Sequence, residues 1–376
     1  MMWIFIMGAL LIAFVATILY LTNRFCKFQI IKNLSQGKKW LERLLGMIPV
    51  AFIVVVAWIT MGYMNAIIIL LHLAVVWLIG DAIVLIIVKC RKKNFQKYYT
   101  GVAAIVFTAI YLCVGWYLAH NVWRTEYNIK TNKEVGNIRV ILFSDSHVGT
   151  TFDGDGWKQY IDRMNAEKPD VVLIAGDFVD DDTSKEDMIN SCKAMGMLKT
   201  KYGVYYAFGN HDKGYYDESY RGYNGDDLIE ELNKNNVVVL QDENVLIDNR
   251  FYIIGRQDRS EEQKNNARAD MDTLVKGLDK NKFSIVMDHQ PYDYEGEAEA
   301  KVDLVLSGHT HGGQLIPVNH VGEWTGENAK SYGYEKRGDT NFIVTSGISD
   351  WAIKFKTGCK SEYVVIDVNE VEHNRE

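Results

Sequence analysis

Hydrophobic residues follow two different patterns along this chain. Up to residue 122 they form four long apolar stretches; from Asn137 they form short runs that end in polar turns. The long stretches are WIFIMGALLIAFVATILYL from Trp3, LLGMIPVAFIVVVAWITMGYM from Leu44, AIIILLHLAVVWLIGDAIVLIIV from Ala66 and GVAAIVFTAIYLCVGWYLA from Gly101. Each approaches the roughly 20 residues that a helix needs to cross a bilayer. None has the polar stripe of a helix lying on a soluble core. The pattern predicts a membrane domain, 1–122, with four transmembrane helices over about 3–22, 44–63, 66–88 and 101–119. The first stretch does not read as a signal peptide, because its basic residues follow the apolar run instead of preceding it.

The short runs predict an α/β domain over 123–376. NIRVILFSD, VVLIAGD, GVYYAFGNHD, FSIVMDHQP and VDLVLSGHTHGG each read as a buried strand running into a polar turn. WKQYIDRMNAEK and SKEDMINSCKAMGMLK read as amphipathic helices between them. From Val237 the strands shorten (NVLI, FYIIG, NFIVTSG, EYVVIDV), which suggests a second sheet packed on the first.

Charge sharpens this division. Residues 1–122 hold 11 Lys/Arg and 2 Asp/Glu, a net of +9, whereas the remainder holds 30 and 46, a net of −16. The basic residues of the first part lie between spans one and two (Arg24 to Arg43) and between spans three and four (Lys89 to Lys97). By the positive-inside rule both loops are cytoplasmic, so the fourth span leads outward and the soluble domain is expected outside the cytoplasm, on a cell (inner) membrane. His72 and Asp81 fall inside the third span, where interhelical hydrogen bonding is the expected role. Cys192 and Cys359 are the cysteines of the soluble part, too few to argue for a bridge. The acidic surface argues against long nucleic acid as a partner.

The polar turns carry the chemistry. They hold Asp145 and His147, Asp177, Asn210 and His211, His289, and His309 and His311, which include five of the nine histidines. The carboxyl ends of strands in α/β sheets gather on one side, so five separate segments deliver these groups to one place. Imidazoles with carboxylates suit Mn, Fe or Zn. One ion takes three or four protein ligands, so this many candidates suit two divalent ions, an arrangement used for phosphoryl hydrolysis. In an extended segment residues i and i+2 point the same way, so His309 and His311 can each reach one ion.

In order and spacing, Asp145-Ser-His147, Gly176-Asp177, Gly209-Asn210-His211-Asp212, His289 and Gly308-His309-Thr-His311 resemble the five blocks of the calcineurin-like metallophosphoesterase superfamily. The resemblance runs from about Asn137 to Val368. GHTHGGQ and GISDWAIKFKTGC are similar to its bacterial branch of membrane-attached or exported phosphodiesterases. It implies a four-layer fold of two packed β-sheets flanked by helices. It also implies a first metal held by Asp145, His147 and His311, a second held by Asn210, His289 and His309, and Asp177 bridging them. His211 would act beside the phosphate as general acid or charge stabiliser. Asp212, where many members have Glu, would orient His211. The expected activity is metal-dependent phosphodiester hydrolysis, on a lipid or lipid-linked phosphodiester or pyrophosphate close to the membrane. The competing readings are a phosphomonoesterase, or a receptor or transporter that keeps the domain as a binding module.

Two further segments invite attention. GYYDESYRGYNG offers Tyr215, Tyr216, Tyr220 and Tyr223 beside the GNHD turn, and NHVGEWTGENAKSYGYEKRG reads as an irregular, lid-like loop in which His320 is a surface residue.

Overall fold

The structure is a computed structural model that describes residues 2–92, 95, 97–265 and 268–371. The chain divides into two compact units, Met1–Trp116 with Ala352–Lys354, and Tyr117–Trp351 with Phe355–Glu376.

The first unit is helical: α1 (Met2–Phe25), α2 (Gln29–Ser35), α3 (Lys39–Met61), α4 (Tyr63–Arg91) and most of α5 (Tyr99–His120). Among the described residues three helices, α3, α4 and α5, are long and apolar enough to cross a membrane, not four. The stretch from Trp3 is helical, but the side chains of residues 2–11 lie outside the described ones, and what remains, Ile12–Phe25, is shorter than a span. Many large apolar side chains of these helices, such as Phe52, Ile59, Leu85 and Ile110, are exposed on the protein's own surface, as a lipid-facing surface requires. Asp81 is not left alone in its apolar helix. Arg24 Nε lies 2.9 Å from its carboxylate and the Tyr20 hydroxyl donates to it at 3.1 Å, both from α1. His72 instead bonds within its own helix, its Nδ1 lying 2.8 Å from the Ile68 carbonyl.

The second unit contains twelve strands: β1 (Trp123–Thr131), β2 (Ile138–Phe143), β3 (Val171–Ala175), β4 (Val204–Ala207), β5 (Val237–Val239), β6 (Glu243–Ile247), β7 (Phe251–Gly255), β8 (Phe283–Met287), β9 (Leu304–Ser307), β10 (Gly333–Arg337), β11 (Thr340–Val344) and β12 (Glu362–Glu370). They form two mixed sheets, ordered β1-β12-β2-β3-β4-β5 and β10-β11-β9-β8-β7-β6. β2 to β5 run parallel, as do β7, β8, β9 and β11. The run EYVVIDV, expected in the second sheet, lies in the first as β12, parallel to β1 and antiparallel to β2. The expected irregular loop after the last histidine pair contains a short helix, Val321–Thr325, and the edge strand β10.

The central strands are buried on both faces, which is why they read as near-continuous apolar runs. Val140, Leu142, Leu173 and Ala175 pack against Phe251, Ile253, Phe283 and Ile285 of the other sheet. Their alternates Ile141, Phe143, Val172 and Ile174 pack with Trp157, Met164, Met188 and Met195 from α6 (Lys158–Ala166), α7 (Lys185–Met195) and the turn before α6. A separate cluster with Met271, Leu274 and Tyr294 covers the outside of the second sheet. Helices therefore flank both packed sheets, and the ends of β2, β3, β4, β8 and β9 fall together.

Candidate metal centre

β2 runs into Asp145 and His147, β3 into Asp177, β4 into Asn210 and His211, β8 into His289, and β9 into His309 and His311. The turns lock together through backbone bonds: Asp145 N donates to Gly176 O at 3.0 Å and His147 N to Asp177 O at 3.2 Å. Their approach depends on small residues. A Cβ on Gly176 would stand 2.5 Å from Gly209 N, and one on Gly308 would stand 2.4 Å from Asp145 Oδ2.

Two potential metal-binding groups result. Asp145, His147 and His311 form one, all buried; Asp177, His289 and His309 form the other. His147 Nε2 and His311 Nε2 lie 3.3 Å apart, and His311 Nε2 lies 3.7 Å from Asp145 Oδ1. Asp177 Oδ2 reaches toward both groups, 3.1 Å from His289 Nε2 and 3.8 Å from His147 Nε2. Asn210 joins the second group through Oδ1, 2.9 Å from His309 Nδ1, while its Nδ2 donates to the Tyr215 hydroxyl at 2.7 Å. In this orientation the amide oxygen faces the histidine.

The backbone explains how His309 and His311 diverge. The segment is not extended: His309 and His311 both take left-handed conformations (φ 69° and 47°), and a 3₁₀ turn begins at His311. Each histidine still belongs to a different group. Asp145, His147 and Asp177 are left-handed too (φ 53°, 38° and 51°). Conformations of this kind cost about 1–3 kcal/mol each and persist where the surroundings enforce them.

The donor set fits divalent cations. His289 Nδ1 faces the Ala175 carbonyl at 2.6 Å, which requires its proton there and leaves Nε2 a bare lone pair when the ring is neutral. That buried Nε2 has no hydrogen-bond partner, yet a carboxylate oxygen lies 3.1 Å away. Two lone-pair atoms at that distance repel unless positive charge stands between or beside them. Burial opposes charge on His289, but Asp177 outweighs it and raises the imidazole well above its ordinary value. Burial likewise raises Asp177, but His289 and its neighbours pull it well below the usual carboxylate range. In the other direction, burial and His147 lower His311, and burial and His289 lower His309 to about 4. Those two imidazoles present lone pairs at neutral pH, which metal binding requires.

Asp212 has a different position from the one expected. Its carboxylate accepts from four backbone amides, Asp177 (2.9 Å), Phe178 (2.8 Å), Val179 (3.2 Å) and Gly209 (2.6 Å), and so grips the Asp177 turn instead of the His211 ring. His211 donates its backbone N–H to Asp177 Oδ1 at 2.8 Å. Its ring lies 5.1 Å from His147 and 4.6 Å from Trp351, centroid to centroid, and no hydrogen bond engages its nitrogens among the described residues.

Several contributors were not singled out from sequence. Asp180 lies 3.3 Å from His147 Nδ1, on the side of the ring away from the ligand atom. Its signal, an acidic residue three after Asp177, is lost in the run of three aspartates at 180–182. Trp351 stacks over His147 at 5.8 Å and is partly exposed. Lys356 is fully buried, and its ammonium donates to the carbonyls of Ser346 (2.6 Å), Ser349 (2.9 Å) and Gly347 (3.4 Å). This loop abuts the ligand turn, since a Cβ on Gly347 would stand 2.7 Å from Asp145 Cβ. Lys356→Met should strand those carbonyls and cost about 3 kcal/mol. The readout is a lower thermal midpoint together with weaker metal retention; an unchanged midpoint would refute it.

Cys192 and Cys359 are both free and buried. Of the four tyrosines after the GNHD turn, Tyr223 is core and Tyr215, Tyr216 and Tyr220 are exposed. His320 pairs with Glu323 at the surface, 3.1 Å apart.

Comparison with known proteins finds relatives of this chain. The profile of the family described as calcineurin-like phosphoesterase matches residues 138–313. An uncharacterized metallophosphoesterase of Aquifex aeolicus (strain VF5) is 32% identical over 200 residues, covering 52% of this chain and 72% of that protein. An uncharacterized metallophosphoesterase of Helicobacter pylori (strain J99) is 30% identical over 237 residues, covering 63% of this chain and 60% of that protein. A Bos taurus protein described as a transmembrane protein with metallophosphoesterase domain is 26% identical over 242 residues, covering 61% of this chain and 52% of that one. The matched region thus spans less than two thirds of the last two.

Proposed function

We propose, from the premise that this chain belongs to the calcineurin-like phosphoesterase family, that it is a membrane-attached dinuclear metal phosphodiesterase acting on a lipid or lipid-linked phosphodiester or pyrophosphate. The observation that carries the reading is Asp177 Oδ2, a buried carboxylate oxygen within 3.8 Å of imidazoles from both potential metal-binding groups.

In this reading Asp145, His147 and His311 hold one divalent ion; Asn210, His289 and His309 hold the other; Asp177 reaches both. When bound, two such ions supply Lewis-acid stabilisation of phosphoryl oxygens and lower the pKa of water toward neutrality. The remaining work falls to side chains. The Ala175 carbonyl and Asp180 fix the ring orientations of His289 and His147. Asn210 contributes a neutral oxygen that leaves positive charge uncancelled, and its amide nitrogen donates to the Tyr215 hydroxyl. His211, with unengaged ring nitrogens beside the ligand cluster, holds a proton for the leaving oxygen or stabilises charge on the phosphoryl group. Trp351 walls one side of His211 and offers an apolar face to the substrate.

The deciding experiment measures hydrolysis of an aryl phosphodiester and the matching monoester by the full chain, before and after chelation. The expected result is metal-dependent cleavage, restored by Mn or Zn, with the diester preferred. Faster monoester cleavage would make it a phosphomonoesterase. A purified chain with no bound metal and no hydrolysis would favour a binding module.

The basic residues Arg24–Arg43 and Lys89–Lys97, which flank α3, α4 and α5 on one side, support a soluble unit outside the cytoplasm. This assignment does not depend on α1, because α3 to α5 alone cross three times and end on the opposite side. External protease should digest the soluble unit in spheroplasts; complete protection there would reverse the orientation.

A further inference from the structure

The helical unit contains a groove of about 1250 Å³ that the catalytic reading does not use. Its walls come from the end of α1 and the turn after it, α2, the second half of α4, and the start of α5 with the residues before it. Gly80 sets the close approach of α4 to α5: a Cβ there would stand 3.0 Å from Thr100 Cγ2. One part of the lining is cationic, with Arg24, Lys27, Lys32 and Lys97; another is apolar, with Val84, Leu85, Val88 and Val102. The lining has a single carboxylate among the described residues, Asp81, and it is engaged by Arg24 at 2.9 Å. Lys27, Lys32 and Lys97 have no carboxylate in ion-pair range among the described residues. Lys27 Nζ sits 5.4 Å over the Tyr98 ring, which in turn packs edge-on to Phe28, so the ammonium is held at the groove mouth by an aromatic wall.

The apolar wall cannot face water without cost: Leu85 is 70% and Val102 52% exposed on the protein's own surface. Acyl chains are the natural cover for such a wall. The cations stand where the spans leave the bilayer, the level of lipid phosphates. A zwitterionic headgroup would bring its own cation beside three unpaired ammoniums. An anionic headgroup would neutralise them with charge-assisted hydrogen bonds.

We propose that this groove binds one anionic glycerophospholipid, its phosphate at Lys27, Lys32 and Lys97 and its acyl chains along Val84, Val88 and Val102. The bound lipid would tie α4 to α1 and α5 at the basic end of the bundle.

The test is native mass spectrometry of the full chain in mild detergent, offered equal amounts of phosphatidylglycerol and phosphatidylcholine. Phosphatidylglycerol should be retained about tenfold better. The preference should vanish in Lys27→Gln/Lys32→Gln/Lys97→Gln and survive in Lys38→Gln/Lys39→Gln/Arg43→Gln, which removes equal charge outside the groove. Equal retention of both lipids by the unaltered chain overturns the proposal, whether or not any variant folds. Loss of preference in both variants would make it a general surface-charge effect and overturn it too. Displacement of phosphatidylglycerol by excess inorganic phosphate would mean that the cations serve free phosphate, and the lipid assignment fails.

Discussion

Asp177→Asn should reduce metal-dependent hydrolysis of an aryl phosphodiester at least about 10³-fold, equivalent to about 4 kcal/mol of transition-state stabilisation. The substitution is nearly isosteric. The amide oxygen can still accept the His211 N–H that Asp177 Oδ1 accepts at 2.8 Å, so the turn retains its shape. What disappears is the negative charge that Oδ2 presents to His289 at 3.1 Å and His147 at 3.8 Å. Metal analysis should then find fewer than two ions per chain, with the thermal midpoint of the ion-free protein little changed. Wild-type turnover together with a full metal complement would eliminate Asp177 as the shared ligand and with it the dinuclear reading.

Asp212→Ala should act through the fold instead. Its carboxylate is the shared acceptor for four buried backbone N–H groups on two different turns. Burial and the nearby Asp177 carboxylate push its pKa up, and the amides counter that by favouring the charged form. Alanine removes the acceptor and fills nothing, leaving several orphaned donors at about 1–3 kcal/mol each. A loss of about 4 kcal/mol is expected, read as a midpoint lowered by about 10 °C, along with weakened metal binding because the Asp177 turn loses its clamp. Asp212→Asn, which keeps one acceptor oxygen, should recover part of both. If Asp212→Ala retained its stability and lost only activity, the residue would be acting on the reaction and not on the turn.

These two aspartates also mark the limit of what the sequence reveals. Asp177 was legible because a strand of five apolar residues points directly at it, and shorter apolar runs lead to His289 and His309. Asp212 was legible as a candidate but not in its role, since backbone amides as partners leave no trace in residue types. β2, β3, β8 and β9 announced themselves through near-continuous apolar runs, a consequence of burial on both faces. β1 did not: WRTEYNIKT is an edge strand with most side chains in water, and its charges masked the alternation. β5, three residues long at the opposite edge, and β10, at an edge of the second sheet, were equally silent. β12 was visible as a strand, but its sheet was not, because sheet membership depends on a long-range partner. Trp351 reaches the ligands from a loop some 200 residues away in sequence from His147, and nothing local to GISDWAIKFKTGC predicts that return.

The donors hang from the ends of five strands, and the crossover helices α6 and α7 carry none of them. Insertions or deletions in those crossovers would leave the donor array intact, since surface connections absorb extra length readily. A slip of one residue inside β8 or β9 would instead turn its histidine to the opposite face. Among descendants of one ancestor, length should therefore drift between the donor turns and hold still within the strands. New substrates would be reached by rebuilding loops around an array that stays the same.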